Sequence, residues 1–151
     1  MRIIPATAAE CVAMAGVHAE AFEHKAWRDD EFEDLLEGEG IYGFLADHEV
    51  PPNAPMGLIL CRVAAGEMEV LTLGVAHAAR RRGVAKALMH AALPAARDRA
   101  ATECFLEVAV DNDSAIALYE GLGFRKTGLR KSYYDRGPQG FTDALVMRLD
   151  L

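Results

Sequence analysis

No stretch of this 151-residue chain is apolar for long enough to serve as a secretory leader or a membrane span. Met1-Arg2-Ile3-Ile4-Pro5 runs straight into a polar helix start, so the expectation is a soluble, cytoplasmic protein with no membrane partner. Cysteine is scarce. Cys11, Cys61 and Cys104 form an odd set without CxxC spacing, which argues against a disulfide framework and fits reduced thiols used as core filler. The five histidines show no HExxH or other paired ligand spacing, so no metal is expected. Positive charge is in deficit: the formal net charge is -7 and the pI is near 5.2, which would repel phosphates over most of the surface. Nucleic acid is therefore not an expected partner, and a basic partner is easier to accommodate. Internal repeats and low-complexity tracts are missing as well.

What the chain does have is apolar content, at 52% of residues, enough for one domain over residues 1–151 with a core that needs no staples. A strand at 2–4 precedes Thr7, which stands three residues before Glu10 in the spacing of a capping box and starts a helix to about Phe22. A second helix is expected at Asp29 to Glu37. Strands follow at about 41–46, 56–64 and 67–76, with a hairpin connection at Pro51-Pro52-Asn53-Ala54-Pro55 and a turn at Ala65-Gly66. Val84, Ala87, Leu88, Ala91 and Ala92 recur at helical spacing from Gly83 to about Arg99, where Pro94 is expected to kink or end the first part. Cys104 to Val110 has the apolar content of a central strand. Asn112 to Leu122 fits a helix capped by Asn112 or Asp113 and stopped at Gly123, and strands at about 125–132 and 142–149 finish the chain. The fold class is α/β, more narrowly α+β: a mixed, mostly antiparallel sheet of about seven strands, flanked by about four helices and containing one βαβ crossover.

The most informative segment is Arg80-Arg81-Arg82-Gly83-Val84-Ala85-Lys86, between an apolar strand ending near Val75 and the helix that starts near Gly83. Small residues let backbone N–H groups approach a phosphate, the helix N-terminus adds positive potential, and the cationic side chains add charge-assisted bonds, so a pyrophosphate fits there. A basic turn that only caps and solvates a helix is the other reading of the same residues.

Arg80-x-x-Gly83-x-Ala85 resembles the Q/R-x-x-G-x-G/A pattern of the GNAT N-acetyltransferase superfamily. Leu106-Glu107-Val108, Asn112 and the run Ala117-Leu118-Tyr119-Glu120-Gly121-Leu122-Gly123-Phe124 resemble its ribosomal-protein alanine N-acetyltransferase branch, RimI. Arg130-Lys131-Ser132-Tyr133-Tyr134 and Asp143 to Met147 do too, so the likeness covers about residues 67–150. The resemblance implies the GNAT fold and acetyl-CoA as cosubstrate. It implies that backbone groups of Leu73, Gly74 and Val75 hold the pantetheine and acetyl carbonyl, and that Arg80 to Lys86 hold the diphosphate. Asn112 binds the pantetheine side and also suits a helix N-cap. The general base falls on Glu107 and the general acid on Tyr119. An amine attacks a thioester only when neutral, so a carboxylate must take a proton, and a phenol can return one to the departing thiolate. An inter-strand ion pair for Glu107 and plain aromatic packing for Tyr119 are the alternatives.

The branch implies an acceptor peptide or protein N-terminus, such as the alanine of a ribosomal protein. An α-amine has a reference pKa near 8 against about 10.4 for lysine, so roughly a tenth of α-amines are already neutral near pH 7. Tyr133 and Tyr134 lie beside the acceptor in related enzymes; strand-surface packing is the other reading. The acidic run Asp29, Asp30, Glu31, Glu33, Asp34, Glu37 and Glu39 either steers a basic peptide or is a solvated helix face. Three positions depart from the branch: Arg80 for a frequent glutamine, which the GNAT pattern permits, Gly74 for alanine, and Ala109 for arginine, which bears on the acceptor rather than on the fold. A small-molecule amine acetyltransferase and a non-catalytic acyl-CoA sensor stay open as alternatives, and the sequence assigns no oligomeric state.

Overall fold

The computed structural model describes residues 1–49 and 54–151, so the expected connection at Pro51-Pro52-Asn53 lies outside the described residues. The chain opens with β1 (Arg2–Pro5) and the capping box that the Thr7 and Glu10 spacing calls for. Thr7 N–H donates to Glu10 Oε2 at 2.8 Å, and Ala9 N–H donates to Thr7 Oγ1 at 3.3 Å. The box starts a 3-10 turn over Ala8–Glu10, and the α-helix proper, α1, is Cys11–Ala21. α2 spans Asp29–Leu36, opened by the Glu31 carboxylate, which accepts the Arg28 N–H at 2.8 Å.

Three antiparallel strands follow: β2 (Ile41–Asp47), β3 (Pro55–Ala64) and β4 (Glu67–Val75). Ala65 and Gly66, at φ of 52° and 79°, form the tight turn between the last two. α3 (Val84–Asp98) crosses to β5 (Glu103–Ala109), α4 (Asp113–Gly121) comes next, and β6 (Arg125–Asp135) and β7 (Phe141–Asp150) close the fold. Among the described residues the sheet has seven strands in the order β1-β2-β3-β4-β5-β7-β6, and every adjacent pair is antiparallel except β4 with β5.

Each face of the sheet has its own core. On one, Leu88, Met89, Ala92 and Ala96 of α3 pack with Ile59, Met68, Cys104, Leu106, Val108 and Met147. On the other, Met14 and Val17 of α1 and Phe32 of α2 pack with Leu45, Leu58 and Leu60. All three cysteines are buried and free.

The structure corrects the expectation that Pro94 ends the first part of the third helix: α3 runs on through it to Asp98. Proline removes only the bond to the carbonyl of His90, an exposed residue. The buried stripe on either side of Pro94, from Leu88 to Ala96, holds the helix on the sheet. A second correction is that β6 extends through Tyr133 and Tyr134 to Asp135, past the expected end at 132.

Candidate active site

β4 and β5 pair over only three positions, Glu67 with Glu103, Met68 with Cys104 and Glu69 with Phe105. Beyond them the strands part. β4 also carries an extra residue: Leu60 pairs with Thr72 and Cys61 with Val70, which leaves Leu71 as a bulge, and bulges bend a strand. Leu73, Gly74 and Val75 therefore pair with β3 on one edge and, among the described residues, have no strand partner on the other. A cleft opens at the middle of the sheet, lined on the β4 side by backbone donors and acceptors. Gly74 lies against α1, where a Cβ would meet Ala21 Cβ and Phe22 Cε2 at 3.2 Å.

The cationic loop stands at the end of this strand. A 3-10 turn at His77–Ala79 follows β4, tied to α1 by the His77 N–H, which donates to the Glu20 carboxylate. Arg80 Nε reaches the Val75 carbonyl at 3.5 Å. Arg81 and Gly83 have φ of 62° and 78°, and Gly83 caps α3 in the left-handed region with nothing within 4 Å of its would-be Cβ. Left-handed residues turn successive N–H groups to one side, and the first N–H groups of α3 have no intrahelical acceptor. Arg80, Arg81, Arg82 and Lys86 are exposed, and among the described residues none forms an ion pair. This loop has the backbone donors and positive charge that an anion requires. The side chain of Val84 is buried, so that residue offers only its backbone, and Ala85 is half-buried.

On the far side of the cleft stands Glu107. Leu106 and Val108 are buried against the α3 side, so Glu107 projects from the other face. Its carboxylate keeps 21% exposure and is held by Arg130, with Nε 3.0 Å from Oε1. Tyr133 interacts with the same carboxylate, which holds its phenol above the ordinary tyrosine range. Tyr134 sits deeper. Burial first, then the negative charge of Glu107, pushes its phenol up to about 12.

Tyr119 projects from α4 into the α3-side core, 7% exposed, with its ring 5.8 Å from Phe124 in an edge contact. Burial holds its phenol well above the ordinary range, with a smaller contribution from Tyr134. It is a protonated donor at any working pH. Asn112 does cap α4: its Oδ1 accepts the Ala115 N–H at 3.2 Å.

Two connections border the Glu107 side. Arg136 makes a bidentate pair with Asp111, both bonds at 2.6 Å, which ties the β6–β7 connection to the end of β5. Lys25 reaches Asp135 at 3.8 Å and links the α1–α2 connection to β6. α2 packs on α1 and β2, and its carboxylates at Asp29, Asp30, Glu33 and Asp34 face solvent.

Glu107, Tyr133 and Tyr134 interact with one another where β5 leaves β4, the cationic loop stands at the end of β4, and Tyr119 projects to the opposite face of the sheet, within the α3-side core. Arg130 had no assigned role in the sequence reading. Its signal was its place in Arg130-Lys131-Ser132-Tyr133-Tyr134, but contact with Glu107 depends on a strand order that sequence spacing does not reveal. Among the described residues no group of His, Cys, Asp and Glu could hold a metal ion, and no helix is long and apolar enough to cross a membrane.

Residues 11–124 match the acetyltransferase (GNAT) family. The N-alpha-acetyltransferase RimI of Mycobacterium tuberculosis is 42% identical over 84 residues, 56% of this chain and 49% of that protein. The chain spans about half the length of that relative. An N-alpha-acetyltransferase of Saccharolobus solfataricus is 32% identical over 123 residues, 73% of this chain and 72% of that one. The crystal structure of the ribosomal-protein-S18-alanine N-acetyltransferase from Escherichia coli overlays with a TM-score of 0.87 at 25% identity, covering 99% of this chain and 92% of that one. With sequence matched from α1 to the last residue before β6 and the whole sheet overlaid, this chain belongs to the GNAT acetyltransferase family.

Proposed function

We propose that residues 1–151 form a single acetyltransferase domain that moves an acetyl group from acetyl-CoA to a primary amine, with the free α-amine of a polypeptide as preferred acceptor. The observation that carries this reading is the parting of β4 from β5 after Glu69, with the cationic loop at the end of β4 and a carboxylate on β5. The chemistry of the donors fits the cosubstrate: Arg80 to Lys86 suit a diphosphate, and the free edge of Leu73, Gly74 and Val75 suits amides. Bound acetyl-CoA supplies an activated thioester carbonyl. Glu107 takes the proton that the amine must lose, and Tyr119, protonated because it is buried, returns one to the thiolate that departs. Asn112 caps α4 with its oxygen and offers its nitrogen to the pantetheine side.

Relatives named for N-terminal and ribosomal-protein alanine acetylation support a peptide acceptor. Tyr133 and Tyr134, beside Glu107 and flanked by the Lys25 and Asp135 contact, offer flat apolar surface and hydroxyls for the first residues of such a peptide.

The test is mass spectrometry after incubation with acetyl-CoA and peptides starting in Ala, Ser, Met or Gly, alongside α-blocked lysine peptides and polyamines. Acetylation of free peptide N-termini is expected. Modification of polyamines alone would move the acceptor to small amines, and acetyl-CoA binding without any turnover would leave a sensor. Glu107→Gln is expected to slow kcat about 100-fold with acetyl-CoA affinity retained.

A further inference from the structure

Two rows of side chains cross the open half of the sheet on the Glu107 face. Glu107 pairs with Val146, which pairs with Gly128; Ala109 pairs with Ala144, which pairs with Arg130. Paired residues share a face, so Arg130 stands two strands from Glu107 and one row along, with strands spaced about 4.8 Å apart. Its guanidinium nevertheless ends 3.0 Å from Glu107 Oε1. The route is clear because the positions along it are small: Ala144 under the arm, Ala109 beyond it and Gly128 beside it. An arginine at 109, as the family pattern often has, would stand in this row itself; here the row carries its guanidinium on β6.

The backbone of β6 is irregular at this point. From Arg130 to Tyr134 it advances four residues while β7 moves two, from Ala144 to Thr142. Ser132 takes up the excess at φ of 52°, a left-handed conformation unfavourable for serine, and its N–H donates to Asp143 Oδ1 at 2.7 Å. In a regular strand, side chains three apart point to opposite faces. The bulge cancels that rule, so Arg130 and Tyr133 both reach the Glu107 carboxylate, with the guanidinium 5.2 Å from the Tyr133 ring centre.

We propose that Arg130 is a positioning residue for acetyl transfer: from across Ala144 it holds one oxygen of Glu107, fixing the orientation in which the carboxylate accepts the proton of the acceptor amine. The inference rests on Glu107 being the base. Arg130 itself exchanges no proton. A carboxylate has two oxygens, and with Oε1 engaged its remaining lone pairs are aimed rather than free to rotate. An ion pair whose cation is 58% exposed contributes little to stability, so stability alone does not explain a strained bulge built to form it.

The test is a double-mutant cycle in steady-state kinetics with acetyl-CoA and a peptide acceptor, using Arg130→Gln, Arg130→Lys, Glu107→Gln and the Arg130→Gln/Glu107→Gln pair. Arg130→Gln is expected to lower kcat about tenfold or more, to leave KM for acetyl-CoA unchanged, and to have no further effect once Glu107 is glutamine. Arg130→Lys recovers part of the loss. Equal losses in both backgrounds would mean that Arg130 acts elsewhere, and wild-type kcat in Arg130→Gln would also overturn the proposal. If Glu107→Gln alone turns over like wild type, the base assignment fails, and this inference fails with it for that separate reason.

Discussion

His18 Nδ1 accepts the backbone N–H of Trp27 at 3.0 Å, and the two rings stack 4.8 Å apart at 17°. With Phe22 at 4.5 Å and Phe32 at 5.5 Å, this contact pins the connection between α1 and α2. Burial lowers the imidazole pKa from its ordinary 6.5 to about 4, against a weaker upward pull from Glu31. Only the neutral ring accepts at Nδ1. The contribution is therefore complete above the ordinary value near 6.5 and is lost as pH falls toward about 4, on the order of 2 to 3 kcal/mol. Denaturant unfolding between pH 7.5 and 4 checks it: His18→Asn, neutral throughout with an acceptor in a similar place, should show a shallower fall than wild type. Equal slopes would count against the imidazole.

Gly57 is a packing requirement of the site. A Cβ there would come within 2.7 Å of Val84 Cγ1 and 2.9 Å of the Gly74 carbonyl, so Gly57→Val presses on β4 and on the start of α3 together. Overpacking of this kind destabilises by about 1 to 3 kcal/mol. Acetyl-CoA affinity should fall with thermal stability, read by calorimetry and by equilibrium binding on one sample. A variant with wild-type affinity would separate the cradle from this packing.

Among the cationic residues, Arg82 and Lys86 are exposed and distant from the buried core, so neutralising them tests charge alone. Arg82→Gln with Lys86→Gln should weaken acetyl-CoA binding about tenfold or more and leave the fold and the kcat at saturation intact. The wild-type affinity should also fall with added salt. A salt-independent Kd would speak for a cradle made of backbone alone.

Asn112 has two tasks that one pair of variants separates. Asn112→Ala removes the cap on α4, at a cost of about 1 kcal/mol, together with the amide nitrogen. Asn112→Asp keeps a capping oxygen beside the Ala115 N–H but has no nitrogen. Aspartate should therefore restore thermal stability without restoring KM for acetyl-CoA. Recovery of both would reduce Asn112 to a cap.

Local signals in the chain were readable because they are short-range. The Thr7 and Glu10 box, the Ala65-Gly66 turn, Gly83 at the start of α3 and the Asn112 cap all act within four residues, and each is in place. The grouping of Glu107 with Tyr119 came from likeness to a family and not from spacing, since the two residues project from opposite faces of the sheet. Pro94 misled because its local effect is real but small beside the buried stripe around it. The Ser132 conformation was invisible because it is fixed by Asp143, eleven residues on in the neighbouring strand.

Among the described residues, the parting of β4 from β5 leaves Val70 to Val75 without a second strand neighbour, an edge that the proposed function gives to the cosubstrate. On that proposal, acetyl-CoA and free CoA would present identical amides and phosphates to that edge and to the cationic loop, since they differ only beyond the sulfur. Affinity gathered there is uniform binding, which lowers KM without raising kcat. The same grip would hold the spent thiol, so discharge of product would compete with recharging, and on the proposed function only the groups around Glu107 and Tyr119 would tell the two apart.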